Sequence, residues 1–190
     1  DDQLFSSTVF QDISFGLLNH GVSKKDATNR VTEIARKLGI NHLLPKPTHF
    51  LSTGEKKMIS LAGVLVMEPE LIICDEPTAG LDPGNCKMFM QVLDDLYKDG
   101  TTIVISTHDV DLAYSWANQV VLLNDGQIIM EGTPIEVFSD SLQLKKTGLE
   151  KPWIIEAWEC LPFWMRKPDT PPTNRQEFLQ LLEWGLTSLK

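Results

Sequence analysis

The sequence has no apolar run long enough to span a bilayer, so any membrane role runs through other proteins. Nor do its opening residues read as a secretion leader. Cysteine is scarce: Cys74, Cys86 and Cys160 are odd in number and unevenly spaced. They form neither a metal spacing nor a disulfide framework, which fits a reducing cytoplasm. Positive charge is in deficit, with 17 Lys and Arg against 26 Asp and Glu, a net charge of −9. That balance argues against non-specific nucleic-acid binding, which needs cations facing phosphates. Apolar residues, at 42%, are plentiful enough for a core, and 190 residues allow one domain plus an appendage. The first residue is Asp1 rather than Met, a hint that the chain is a piece of something longer.

Local signals predict the elements. "SSTVFQDISFGLLNHG" reads as a short helix from near Ser7 to Gly21. "SKKDATNRVTEIARKLGI" reads as a surface helix with Ser23 as N-cap, an apolar stripe of Val31, Ile34, Ala35 and Leu38, and Gly39 as its stop. "PKPTHF" is a linker, and "GEKKMISLAGVLVMEP" a third helix. "ELIICDEP" is then a continuous apolar strand, the pattern of a parallel strand buried on both faces. "GNCKMFMQVLDDLYKDG" is an amphipathic helix, "TTIVISTHD" a second apolar strand and "VDLAYSWAN" a short helix. "QVVLLNDGQIIMEG" carries the Asp-Gly dipeptide of a hairpin, and "TPIEVFSD" is a further short helix.

Strand, helix, strand, helix is the α/β pattern of a parallel sheet. Such sheets bind ligands beyond the carboxyl ends of their strands. Both apolar strands end in reactive groups, Asp75-Glu76 on one and Ser106-Thr107-His108-Asp109 on the other. Right-handed βαβ connectivity directs both clusters to one edge of the sheet.

Two adjacent carboxylates at the end of an apolar strand repel, so something cationic should sit there. Asp75 is suited to Mg²⁺, directly or through water, because magnesium takes oxygen ligands and shares its shell with phosphates. Glu76 could then orient or deprotonate a water, a task worth about 10²–10⁴-fold in rate. The bland alternative has one acid capping a turn and the other solvated. His108 could sense a phosphate by a hydrogen bond, or simply be satisfied at a helix start. "LSTGEKKM" divides evenly between two readings. Ser52-Thr53-Gly54-Glu55 is a capping box, S-x-x-E. A helix N-terminus with Gly54 beside it is also an anion site, against which the charge of Glu55 weighs. Gln3 alone carries no signal.

Taken in order, Gln3, "LSTGE", "LIICDEPTAGLD" and "STHD" resemble the glutamine loop, signature, magnesium-aspartate strand, D-loop and switch histidine of ABC transporter ATPases. The resemblance covers roughly residues 1–138. "DDQLFSSTVFQDISFGLLNHGVS" and "AGVLVMEPELIICDEPTAGLDPG" are similar to the cobalt-type, or energy-coupling-factor, ATPases that drive uptake of cobalt, nickel or vitamins. The resemblance implies ATP and Mg²⁺ as cofactors and a P-loop NTPase-like α/β core. Residues 1–138 would be a partial ABC ATPase domain, with a helical signature subdomain at about 5–68 and a catalytic part at 69–138. Residues 139–190 would be a C-terminal tail.

It also implies roles. Gln3 would touch Mg²⁺ or the water. Ser52 and Gly54 would clasp the terminal phosphate of ATP held by a second ABC ATPase subunit, in a homo- or heterodimer. Asp75 would serve Mg²⁺, Glu76 the water, Asp82 the coupling of the two sites, and His108 the sensing of phosphate. The further partners would be a transmembrane permease subunit and a substrate-binding membrane component, and the location the cytoplasmic face of the membrane.

The chain departs from the family pattern in two places. Thr53-Gly54-Glu55 stands where Gly-Gly-Gln is usual, and Met58 where a basic residue is common. There is also no phosphate-binding loop, G-x-x-x-x-G-K-[ST]. The near match at Gly16–Ser23 has Val22 in the lysine position and follows a helix instead of a strand. The family places that loop before the glutamine loop, so the N-terminal part of the ATPase is expected to be missing here.

Four of the five tryptophans, Trp153, Trp158, Trp164 and Trp184, lie beyond residue 140. "NRQEFLQLLEWGLTSL" reads as an amphipathic helix with Phe178, Leu181, Leu182 and Leu189 as its stripe and Asn174 to Glu177 as a capping box. The tail either packs on its own domain or serves dimerisation.

Three functions compete: the catalytic second half of an importer ATPase, a non-catalytic module docking on a permease or full ATPase, and a soluble ABC ATPase of DNA repair or translation. The acidic balance weighs against the last. Without a phosphate loop the terminal phosphates lose their main-chain cradle and lysine. Purified residues 1–190 are therefore expected to bind ATP weakly and release no phosphate; brisk turnover in a phosphate-release assay would refute this.

Overall fold

The computed structural model describes residues 4–166 and 169–187; Gln3 and Leu189 lie outside the described residues. The chain forms two compact units, Asp1–Ser106 and Thr107–Lys190.

The first unit begins with helices α1 (Val9–Asn19), α2 (Lys24–Lys37) and α3 (Thr53–Leu65). Each starts where a side-chain oxygen can replace a missing backbone acceptor. Thr8 caps α1 in a reciprocal box with Gln11, and Ser23 Oγ accepts from the N–H of Asp26 at 3.1 Å. Gly39 at φ +70° closes α2, as the glycine stop predicts. The three helices pack on one another through Val9, Ile13, Val31, Ala35, Ile59 and Ala62, all buried. Of the expected α2 stripe, Val31, Ala35 and Leu38 are buried and Ile34 is half-buried.

Strand β1 (Leu71–Asp75), helix α4 (Pro83–Lys98) and strand β2 (Thr102–Ser106) complete this unit. The strands pair in parallel, from Leu71 opposite Thr102 to Asp75 opposite Ser106. Helix α4 lies against β2 and buries Phe89, Leu93 and Leu96. The expectation that β1 is buried on both faces is corrected. Ile72 is 4% exposed, but Ile73 is 71% exposed. Side chains alternate across a strand, and Leu71, Ile73 and the cross-strand Val104 share a face that stays open. Among the described residues no layer closes over this face of the two-stranded sheet.

The second unit holds α5 (Val110–Trp116), β3 (Val120–Asn124), β4 (Gln127–Gly132), α6 (Pro134–Ser139), α7 (Ser141–Thr147), α8 (Trp153–Glu159) and α9 (Arg175–Thr187). β3 and β4 are antiparallel, joined by Asp125 at φ +48° and Gly126 at φ +74°, the left-handed pair that the Asp-Gly dipeptide predicts. Tyr114, Phe138, Leu144, Ile154, Ile155 and Phe178 form one core. The tail therefore packs on α5 and α6. The line expected at 138/139 follows the reach of the resemblance, and the packing runs across it through Phe138 and Leu144. The α9 box is shifted by one residue. Asn174 Oδ1 accepts from the N–H of Glu177 at 3.0 Å, but the Glu177 carboxylate reaches back to the N–H of Thr173 at 2.8 Å. In α9 Phe178 is buried while Leu181 and Leu182 are half-buried.

Phe178 packs edge-on against Trp153, ring centroids 5.5 Å apart. Phe178→Ala should destabilise the protein by about 3 kcal/mol in urea titration, the usual cost of emptying a core aromatic site. Phe163→Ala, at a position 83% exposed, should cost under about 0.5 kcal/mol.

Candidate functional site

The parallel register brings the tips of β1 and β2 side by side. Ser106 Oγ–H donates to Asp75 Oδ1 at 2.9 Å. The Ser106 carbonyl accepts the N–H of Glu76 at 2.8 Å. One residue of β2 thus fixes the backbone and side chain of the acidic pair. Glu76 sits at φ +44°, in the left-handed region that L-residues avoid. Such a conformation costs about 1–3 kcal/mol and persists only when its surroundings enforce it. Pro77 follows and disfavours the right-handed helical alternative.

The turn after Glu76 is held from α3. Lys57 Nζ donates to the carbonyls of Glu76, Pro77 and Ala79 at 3.0, 3.0 and 2.6 Å. An ammonium has three donors, and here each meets a carbonyl. The N–H of Ala79 also donates to the Glu76 carbonyl at 3.2 Å.

The chain then reaches Asp82, the N-cap of α4, with Pro83 in the first turn. Asp82 Oδ1 accepts from the N–H groups of Gly84 and Asn85, both at 3.0 Å, and the Asn85 amide donates to Oδ2. These bonds, the Asn85 N–H foremost and its side-chain amide next, hold the Asp82 carboxyl below the usual carboxylate range.

Asn85 also meets the first turn of α3. A Cβ on Gly54 would fall 2.7 Å from Asn85 Nδ2, so glycine is what lets the two turns approach. Beside Gly54, Ser52 forms the expected capping box. Ser52 Oγ accepts the Glu55 N–H at 3.2 Å, and Glu55 Oε2 accepts the Ser52 N–H at 2.8 Å. Glu55 Oε1 pairs with Lys46 Nζ at 3.4 Å. The Ser52 N–H is the main reason the Glu55 carboxyl lies below its usual value, with Lys46 adding to it. The charge of Glu55 is thus engaged by its own cap and by Lys46.

Ser52, Gly54, Asp75, Glu76 and Asp82 accordingly share the first unit, with Lys57, Asn85 and Ser106 linking them. A cleft of about 340 Å³ between α3 and β1 is lined by Thr53, Lys57, Ser60, Ile73, Asp75 and Phe89. His108 belongs to the second unit, exposed, just before Asp109, which caps α5 by accepting the Leu112 N–H at 2.9 Å. Lys57 and Asn85 were not singled out by the sequence. The partners of Lys57 lie 19 to 22 residues away, and no local pattern announces them.

No group of three His, Cys, Asp or Glu side chains suited to a metal converges among the described residues. Asp75 offers one exposed carboxylate with a serine hydroxyl beside it. That donor set fits Mg²⁺, which takes one or two protein carboxylates and completes its shell with water and phosphate.

Residues 2–79 match the family model of the ABC transporter. Among solved structures, cbiO1 of Clostridium perfringens, described as part of the ABC transporter complex cbiONQ, is similar at a TM-score of 0.67 and 43% identity. That match covers 84% of this chain and 64% of that one. The fold is thus the P-loop NTPase-like core of ABC ATPases, and the chain belongs to the ABC transporter family. Within it the sequence groups with the energy-coupling factor ATP-binding proteins. The EcfA of Methanocaldococcus jannaschii is 44% identical over 187 residues, 98% of this chain and 62% of the relative. The EcfA of Methanococcus maripaludis is 47% identical over 161 residues, 85% of this chain and 58% of the relative. The chain therefore spans about three fifths of the relatives it matches.

Glu55 carries a pH prediction. A carboxyl held below its unfolded value contributes stability in full above about pH 4.3 and loses it as the pH falls through the lower native value. Glu55→Gln keeps a side-chain oxygen for the Ser52 N–H but has no charge to lose. Its thermal midpoint should fall less steeply than that of the wild type between about pH 5 and pH 3. Parallel curves for the two proteins would refute the assignment.

Proposed function

We propose that this chain supplies the catalytic second part of an ATP-binding subunit that powers an energy-coupling-factor importer. The reading is carried by the tip of β1, where Asp75 is aligned by the Ser106 hydroxyl and Glu76 is locked beside it in a left-handed turn. Asp75 holds Mg²⁺ directly or through water. Bound MgATP supplies a cation that offsets the two adjacent carboxylates and an electrophilic phosphorus for attack. Glu76 orients or deprotonates the attacking water, and its fixed backbone spares the reaction the cost of arranging that base. Ser52 and Gly54, at the N-terminus of α3, contact the terminal phosphate of ATP on a second ATPase subunit. Asp82 couples the two sites, His108 senses the phosphate, and Gln3 reports nucleotide state to the membrane.

The partners of this reading are a second ABC ATPase, a permease subunit and a substrate-binding membrane component, met at the cytoplasmic face. No helix among the described residues is long and apolar enough to cross a membrane. The cargo class is a cobalt or nickel ion or a vitamin. A second reading is a non-catalytic module docking on a permease or a full ATPase.

The two readings part on one substitution. In the membrane complex that contains the chain, Glu76→Gln should lower ATP turnover by about 100-fold or more while leaving ATP retention intact. Turnover at the wild-type rate would favour the non-catalytic module.

A further inference from the structure

We propose that Lys57 is a positioning residue for turnover, holding Glu76 in its working geometry from the signature helix α3. This rests on the catalytic reading of Glu76. Four hydrogen bonds reach the strained turn from other elements: one from Glu76 N–H to Ser106 of β2 and three from Lys57 Nζ of α3. The Ser106 bond fixes where the turn leaves the sheet. The Lys57 bonds fix the next carbonyls: the one at Glu76 holds the peptide plane that leaves that residue, and those at Pro77 and Ala79 hold the turn that follows it. Carbonyls gathered on one side of a tight turn repel one another, and a cation at their focus relieves that repulsion.

The clamp has a second consequence. Lys57 lies five positions after Ser52 and three after Gly54, on the first turns of the same helix. A displacement of the α3 N-terminus is therefore passed to the Glu76 turn through one side chain. Lys57 touches no substrate in this scheme; it acts through the backbone of Glu76.

Lys57→Met keeps the length and apolar stem and removes the donors. Lys57→Arg keeps the charge but presents a planar fork that cannot place three donors at one point. Hydrogen exchange on the purified chain reads the clamp without ATP. The amides of Glu76 and Ala79 should exchange at least about tenfold faster in Lys57→Met, with those of α1 and α2 unchanged. In the membrane complex, Lys57→Met should lower kcat by about tenfold or more with KM for ATP within about twofold, and Lys57→Arg should recover part of kcat. Glu76→Gln is the reference. If Glu76→Gln turns over like the wild type, the catalytic reading falls and this inference with it. If Glu76→Gln is inactive but Lys57→Met keeps wild-type kcat, or exchange at residues 76 and 79 is unchanged, this inference alone is overturned.

Discussion

The hydroxyl of Ser106 binds Asp75, the last residue of the neighbouring strand, and its carbonyl binds Glu76 just beyond it; the acidic tip of β1 is built on that pair of bonds. The arrangement requires that β1 and β2 run in parallel with Asp75 opposite Ser106. A slip of one residue would turn Asp75 to the other face, since side chains alternate along a strand. The burial of Ile72 and the bond from Thr102 N–H to the Glu70 carbonyl at 2.9 Å hold the register at the far end of the pair. A packing constraint at the base of the strand thus sets a chemical geometry at its tip.

Energetics explain why the tip needs so many supports. Adjacent carboxylates in water repel by no more than about 1 kcal/mol, and the left-handed backbone at Glu76 adds a comparable cost. Neither is prohibitive, but nothing in the sequence of the turn itself repays them. Repayment comes from α3 through Lys57 and from β2 through Ser106. A metal and a triphosphate would lower the electrostatic share further while leaving the backbone share to Lys57.

The parts legible in the sequence are those whose partners are close along the chain. Thr8, Ser23 and Ser52 cap helices by bonds spanning three residues, and Asp125-Gly126 makes its turn alone. Asp75 and Glu76 stood out because charge directly after Leu-Ile-Ile-Cys breaks the apolar pattern. The burial of that strand was misread because an apolar run shows what a residue can bury, while the layers packed on the faces of the sheet decide whether it does; Ile73 is largely exposed. The clamp by Lys57 and the wedge of Asn85 against Gly54 were hidden for the same reason, since both depend on tertiary approach. Helices α7 and α8 lie in the tail, beyond the reach of the family resemblance, and at seven residues each carry no periodicity of their own to announce them.

The bonds around Gly54 argue that three turns form one mechanical body. Asn85 rests against Gly54, its amide is tied to Asp82, and Asp82 caps α4. Lys57, one turn further along α3, grips the loop that leads from Glu76 toward Asp82. The start of α3, the Glu76 turn and the start of α4 are therefore joined at two points, by a steric contact and by a charge-assisted clamp. Two attachments resist rotation where one would act as a pivot. A ligand pressing on the first turn of α3 would thus meet a unit that includes Glu76 and Asp82. Gly54 is what allows it, because any larger residue would part α3 from Asn85 unless that amide released Asp82.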